Sequence, residues 1–141
     1  MAQKKVSMSS GSIAVPTTRK TEVINVTRVL AEVVSNYKSG IALFSVPHTT
    51  AALILSEDDE ELRGDILKVA ESLFADMRPF KHIRENNPNA EAHLFSALAG
   101  TSVVLGVQEG QLELGTYQNV LLIELDGPKT REIRCTFVTK V

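Results

Sequence analysis

The sequence predicts an α+β fold: one compact domain over residues 1–141, with a mixed or mostly antiparallel β-sheet layer packed against about three helices. Three observations carry this. Short apolar segments of strand type stand before, between and after segments of helical period. The regular βαβ alternation of a doubly wound fold is missing, and so is any Gly-rich phosphate loop. The chain has 141 residues, 43% of them hydrophobic and 23% charged, which suits one ordinary core and lies far from the disordered regime.

Residues 5–15 alternate and predict an opening strand. Over 25–40, Val26, Val29, Leu30, Val33, Val34 and Tyr37 recur at helical spacing toward one core, with Asn25 as N-cap and Gly40 as the stop. IALFSVP (41–47) is a short apolar strand ended by Pro47, and AALILS is the next, so His48-Thr49-Thr50 lies at the joint between them. Ser56 is placed to cap the longest helix. Its acidic run at 57–61 suits the positive end of the helix dipole, and Leu62, Ile66, Val69, Ala70, Leu73 and Met77 form its core stripe. Pro79 ends that helix, FKHIRENNP is polar loop, and Asn89 caps the short helix AEAHLFSALA, stopped by Gly100. TSVVLGV is a strand, QEGQLELGTYQ a turn-bearing connection, NVLLIELDGP a strand ending in a turn, and TREIRCTFVTKV the last strand. Cys135 is expected there as a small buried residue.

A net charge of −2 with scattered Lys and Arg gives no footprint for nucleic acid. No apolar run approaches the roughly 20 residues needed to span a bilayer. The basic start MAQKK has no apolar core after it, so it is not a signal peptide, and the cytoplasm is the expected compartment.

The three histidines stand in motif-like segments: His48 in VPHTTA, His82 in PFKHIRENN and His93 in NAEAHLFSAL. His82 and His93 are separated by Pro88, so only a fold-back from loop to helix can bring them together. His93 sits about one turn into its helix, beside an end that attracts anions. No spacing matches a strong metal signature such as HExxH or paired CxxC. Spacing alone leaves a shared metal site and separate structural roles both open.

Three ordered stretches, VPHTTAALILSE, KHIRENNPNAEAHLFSALAGTSVVLGV and GQLELGTYQNVLLIELDGPKTREI, together resemble the YjbQ family, the secondary thiamine-phosphate synthase family. The resemblance runs from about residue 20 to the end. Its anchors are His48-Thr49-Thr50, His82, Asn89 to His93, Leu114-Gly115-Thr116 with Gln118, and Glu124-x-Asp126-Gly127-Pro128. It implies a compact α+β fold, a homotrimer, and a site gathering His48, His82 and His93 that holds a metal. It also implies a transferase activity that joins a hydroxymethylpyrimidine diphosphate to a thiazole phosphate with release of pyrophosphate. The chain departs from the family pattern at Tyr117, where Trp is usual, at Ser56 in place of Asn, and at Lys129 in place of Arg.

On this reading the partner is a phosphorylated small molecule. His48, His82 and His93 are the candidate catalytic residues and the ligands of a divalent metal, Zn²⁺ or similar. Thr49, Thr50, Asn89, Gly115, Thr116 and Gln118 are the candidate substrate-binding residues, and Lys81, Arg84 and Lys129 supply charge nearby. Glu124 or Asp126 would steady a histidine's second nitrogen. Mg²⁺ enters if diphosphate chemistry is real, since it prefers oxygen ligands. The competing readings are metal-assisted hydrolysis of a phosphate ester, a non-enzymatic metabolite- or metal-binding module, and histidines that merely pack a trimer axis.

Overall fold

A computed structural model describes residues 6–84 and 86–140. The elements are β1 (Val6–Pro16), β2 (Glu22–Asn25), α1 (Thr27–Val34), β3 (Gly40–Ser45), β4 (Ala51–Ser56), α2 (Glu60–Ser72), α3 (Ala90–Ala99), β5 (Ser102–Gln108), β6 (Gln111–Leu112), β7 (Asn119–Glu124) and β8 (Thr130–Lys140). A 3₁₀ turn at Ala75–Met77 follows α2. Lys5, the expected first residue of the opening strand, lies outside the described residues.

The strands form two sheets, one of five in the order β1-β8-β3-β5-β6 and one of three in the order β2-β7-β4. Every described pairing is antiparallel. The main core lies between the sheets. Phe44, Leu105, Ile133 and Phe137 from the large sheet meet Leu53, Val120 and Leu122 from the small one, and Leu30 and Val34 of α1 join them. The other face of the small sheet carries a second core, in which Ala52, Ile123 and Leu125 pack against Ala70, Ile66 and Leu67 of α2 and Ala92 and Phe95 of α3. Because β7 is covered on both faces, Val120 to Ile123 are all fully buried. That is why its sequence reads VLLI without alternation. No helix of the described residues is long and apolar enough to cross a membrane.

Several local expectations need correction. Residues 22–25 form a strand, so the helix opens at Thr27 with Val26 at the N-cap position, and Val26 makes no side-chain cap bond. Asn25 still helps, since its Oδ1 accepts from the Thr27 N–H at 2.9 Å. Gly40 does not stop α1 but opens β3, where a Cβ would run into the Val138 carbonyl of the neighbouring strand. Asp59 rather than Ser56 caps α2, accepting from Leu62 N–H at 2.7 Å, because β4 runs on through Ser56. The α2 stripe is rotated: Val69, Leu73 and Met77 are exposed, while Leu67 and Phe74 pack inward. Gly100 does end α3, in the left-handed region at φ 97°. Cys135 is buried in β8, and burial raises its thiol pKa.

Candidate functional site

Of the six buried polar side chains among the described residues, five gather at one end of the small sheet: Thr17, Thr50, Glu124, Asp126 and Arg131. Buried polar groups persist only where they are partnered, so this end is built around its hydrogen bonds. The turn after β7 places Glu124 and Asp126 opposite Lys129 and Arg131 at the start of β8. Arg131 donates to both carboxylate oxygens of Glu124 and to the carbonyl and Oγ1 of Thr50, the last two at 2.9 and 2.8 Å. Glu124 also accepts from Thr17 Oγ1 and from the N–H groups of Leu125 and Asp126. Burial pushes the Glu124 pKa up, but these donors, Arg131 first, hold it below the usual carboxylate value.

His48 stands beside this pair. Its Nε2 accepts from the Glu132 N–H at 2.8 Å, so the ring is neutral with its proton on Nδ1. Burial lowers its pKa, and the Arg131 charge lowers it further. The expected strand joint at 46–50 is therefore a pinned structure: Thr50 is buried beneath Arg131, and Thr49 is exposed.

Asp126 is the next hub. It accepts from Lys20 Nζ and Lys129 Nζ at 3.2 Å each, and from the side-chain amides of Asn87 and Asn89 at 3.2 and 2.9 Å. Burial alone would raise its pKa, yet Asn89, Lys20 and Lys129 bring it down to about 2. Neither Glu124 nor Asp126 bonds a histidine, so the expected role of steadying an imidazole nitrogen is not what they do. Asn89 opens α3 without capping it, because its amide is spent on Asp126. Its Oδ1 is buried with no hydrogen-bond partner among the described residues.

The fold-back between His82 and His93 is real. Arg84 and Asn87 form an isolated bridge across Asn86, which takes φ 56°, and this returns the chain toward α3. The rings of His82 and His93 then meet edge to face, centroids 4.8 Å apart at 82°. They line a cavity of about 330 Å³ with Phe80, Lys81, Ala90 and Leu94. His93 lies one turn along the same helix from Asn89, so the Asp126 network and the histidine pair share the start of α3.

Within one chain the three histidines do not form a single cluster: no group of three or more His, Cys, Asp or Glu among the described residues is placed to hold a metal ion. Gly115, Thr116 and Gln118 lie before β7, in an exposed turn that Gln118 closes by accepting from Gly115 N–H at 2.8 Å. Asp126 lies beyond the other end of the same strand, roughly 20 Å away at strand rise. Tyr117 is 72% exposed in that turn. Sequence reasoning missed Lys20, Thr17 and Asn87, and gave Arg131 no part. One signal was present for Arg131: the order Glu124-x-Asp126-Gly127-Pro128-Lys129-x-Arg131 sets two acids against two bases across a turn.

The chain matches the model of the UPF0047 protein YjbQ-like family over residues 11–140. It is 39% identical to a UPF0047 protein of Archaeoglobus fulgidus over 86% of this chain and 94% of that protein. It is 34% identical to the UPF0047 protein YugU of Bacillus subtilis, over 85% of this chain and 92% of that protein. The crystal structure of a YbjQ-like protein of unknown function from Sulfolobus solfataricus superposes with a TM-score of 0.86 at 34% identity, covering 95% of this chain and 99% of the other. A hypothetical protein from Aeropyrum pernix superposes at 0.84 with 36% identity, covering 92% and 97%. Matched along nearly its whole length by the family model, by relatives and by solved structures, the chain belongs to the YjbQ-like UPF0047 family.

Proposed function

We propose that this chain acts on a phosphorylated small molecule at a His-centred, metal-holding site completed between copies of a homotrimer. The contact of His82 with His93 at the start of α3 carries the reading. That contact sets two imidazoles side by side at 4.8 Å between centroids, so both could serve one divalent ion of the Zn²⁺ type, which imidazole nitrogens suit. His82 and His93 would hold the ion, and a further imidazole, His48 of another copy, would complete three ligands with a position left open once its Nε2 lone pair is released from the Glu132 N–H. A metal so held supplies Lewis-acid stabilisation to phosphate oxygens. The chain's own groups do the rest: Lys81 lines the histidine cavity, Lys20 and Lys129 set positive charge around Asp126, and Asn89 orients at the helix start. A shared site also gives Gly115, Thr116 and Gln118 a way to reach the ligand, since they lie a strand's length from Asp126 in their own chain.

Light scattering would give the solution mass, expected at three times 15.4 kDa. Metal per chain would be measured by mass spectrometry in wild type and in His48→Ala, His82→Ala and His93→Ala, with the synthase reaction and phosphate-ester hydrolysis assayed on the same samples. Loss of metal in all three variants with a trimeric wild type supports the reading. A monomer, or unchanged metal in every variant, overturns it. If metal is bound but neither reaction turns over, the protein is a binding module rather than an enzyme.

A further inference from the structure

A second and larger cavity, of about 640 Å³, lies between α2, α3 and the segment before β2, and needs neither His82 nor His93. Its floor is apolar, made by Leu67, Ala92 and Leu125. Its rim carries Lys20, Lys68 and Arg78 against Glu71 and Glu91. These charges are not equally available. Arg78 is spent, donating to both oxygens of Glu91 and to the Glu71 carbonyl. Lys20 is shared with Asp126 and remains 66% exposed. Lys68 is exposed and makes no ion pair among the described residues. The rim therefore offers one free cation, Lys68, and one partly free one, Lys20, above an apolar floor, with the Glu71 carboxylate as the rim acid that makes no ion pair among the described residues.

Gly64 is the independent observation. It sits inside α2, where glycine weakens a helix relative to alanine, yet a Cβ there would meet nothing within 4 Å. No atom of the described residues requires glycine at this position. It lines the cavity, and its missing side chain leaves that part of the helix wall open. The volume is in the range of small-molecule sites and too large for a lone phosphate to fill.

We infer that this cavity is a second binding site, for a small aromatic molecule with one anionic group. The ring lies over Leu67 and Leu125 against the open wall at Gly64, and the anion meets Lys68 and Lys20. A phosphate monoester and a carboxylate present the same chemistry to the two ammonium groups, so both are tested. The site shares Lys20 and Asn89 with the Asp126 network that the proposed function uses, and is told apart from it by Gly64, Leu67 and Lys68, which the histidine site does not use.

The test is a titration followed by amide NMR shifts, with phenyl phosphate, benzoate and inorganic phosphate as separate probes. Phenyl phosphate or benzoate should give saturable shifts at the Gly64–Glu71 face of α2 and at Asn89–Ala92. Inorganic phosphate should bind about tenfold more weakly or worse, since it buries no apolar surface. Gly64→Leu, which extends a side chain into the cavity from a helix position open to a Cβ, should abolish these shifts while leaving the melting temperature equal or higher. Lys68→Glu should weaken binding roughly fivefold. His93→Ala should leave the shifts at Gly64–Glu71 in place, which separates this site from the histidine site. No saturable shift with either aromatic probe, undiminished binding in Gly64→Leu, or equal binding of inorganic phosphate overturns the inference.

Discussion

Replacing Arg131 by Met tests whether the buried end of the small sheet is organised by this one guanidinium. Arg131 and Glu124 are 2% and 0% exposed, so the substitution leaves a carboxylate in the interior without its cation. Thr17 and two backbone N–H groups still bond Glu124, but Thr50 loses both of its Arg131 hydrogen bonds. Breaking a buried pair by removing one partner costs about 3–5 kcal/mol. For a chain of 141 residues the unfolding entropy is about 0.3 kcal/mol per kelvin, so the melting temperature should fall by roughly 10–15 °C. The deficit should shrink as pH falls, because removing Arg131 takes away the largest of the effects that hold the Glu124 pKa down against its burial, and protonation then relieves the unpaired carboxylate sooner. Adding Glu124→Gln to the variant should recover a large part of the loss, because the amide oxygen can keep the two backbone donors without carrying charge. His48 should titrate at higher pH in Arg131→Met, since a neighbouring positive charge that lowers its pKa is gone. Calorimetry at equal protein concentration and histidine NMR read these effects. A melting temperature within about 3 °C of wild type at pH 7, or no gain from Glu124→Gln, would refute the reasoning.

Two further predictions concern stability. Asp126 has its pKa held at about 2, below the ordinary 3.8, so it contributes up to about 2 kcal/mol that is fully present above about pH 4 and is lost as pH falls toward 2. Asp126→Asn should flatten urea stability across that window, and an unchanged slope would remove the claim. Two glycine-to-alanine changes should have opposite signs in the same denaturation assay: Gly40→Ala should cost about 1–3 kcal/mol by driving Cβ into the Val138 carbonyl, and Gly64→Ala should gain about 0.8–1 kcal/mol of helix propensity.

The fold was legible wherever one residue's neighbours in sequence decide its environment. Alternation in TREIRCTFVTKV, the unbroken apolar run in β7 and the stop at Gly100 each describe a local geometry, and each is found. What misled was capping and phase. Asn25 and Ser56 have cap chemistry, but β2 and β4 claim them as strand residues, and Val26 and Asp59 take the N-cap positions instead. On α2 and the 3₁₀ turn after it, period alone could not say that Leu67 and Phe74 would pack in while Val69 and Met77 stay out. Ladder pairing and volume, both non-local, make those choices.

The site was legible to a different depth in each of its parts. Pro88 between His82 and His93 ruled out one helix, which left a fold-back as the way for the two to meet, and they do meet. The four charges flanking Gly127-Pro128 could have announced the Arg131–Glu124 and Lys129–Asp126 pairs, because a turn sets residues before it against residues after it. Lys20 and Thr17 gave no such sign, since they reach the acids from more than 100 residues away. A motif list cannot show which of its members share one chain's surface. Strand β7 holds Gln118 and Asp126 apart at opposite ends, and its own rigidity, buried on both faces, forbids them to approach. If one ligand uses both, the second set must come from another copy. In that case Gln118→Ala and His93→Ala subunits mixed in one assembly should restore activity that neither variant has alone, whereas a site confined to one chain predicts no rescue.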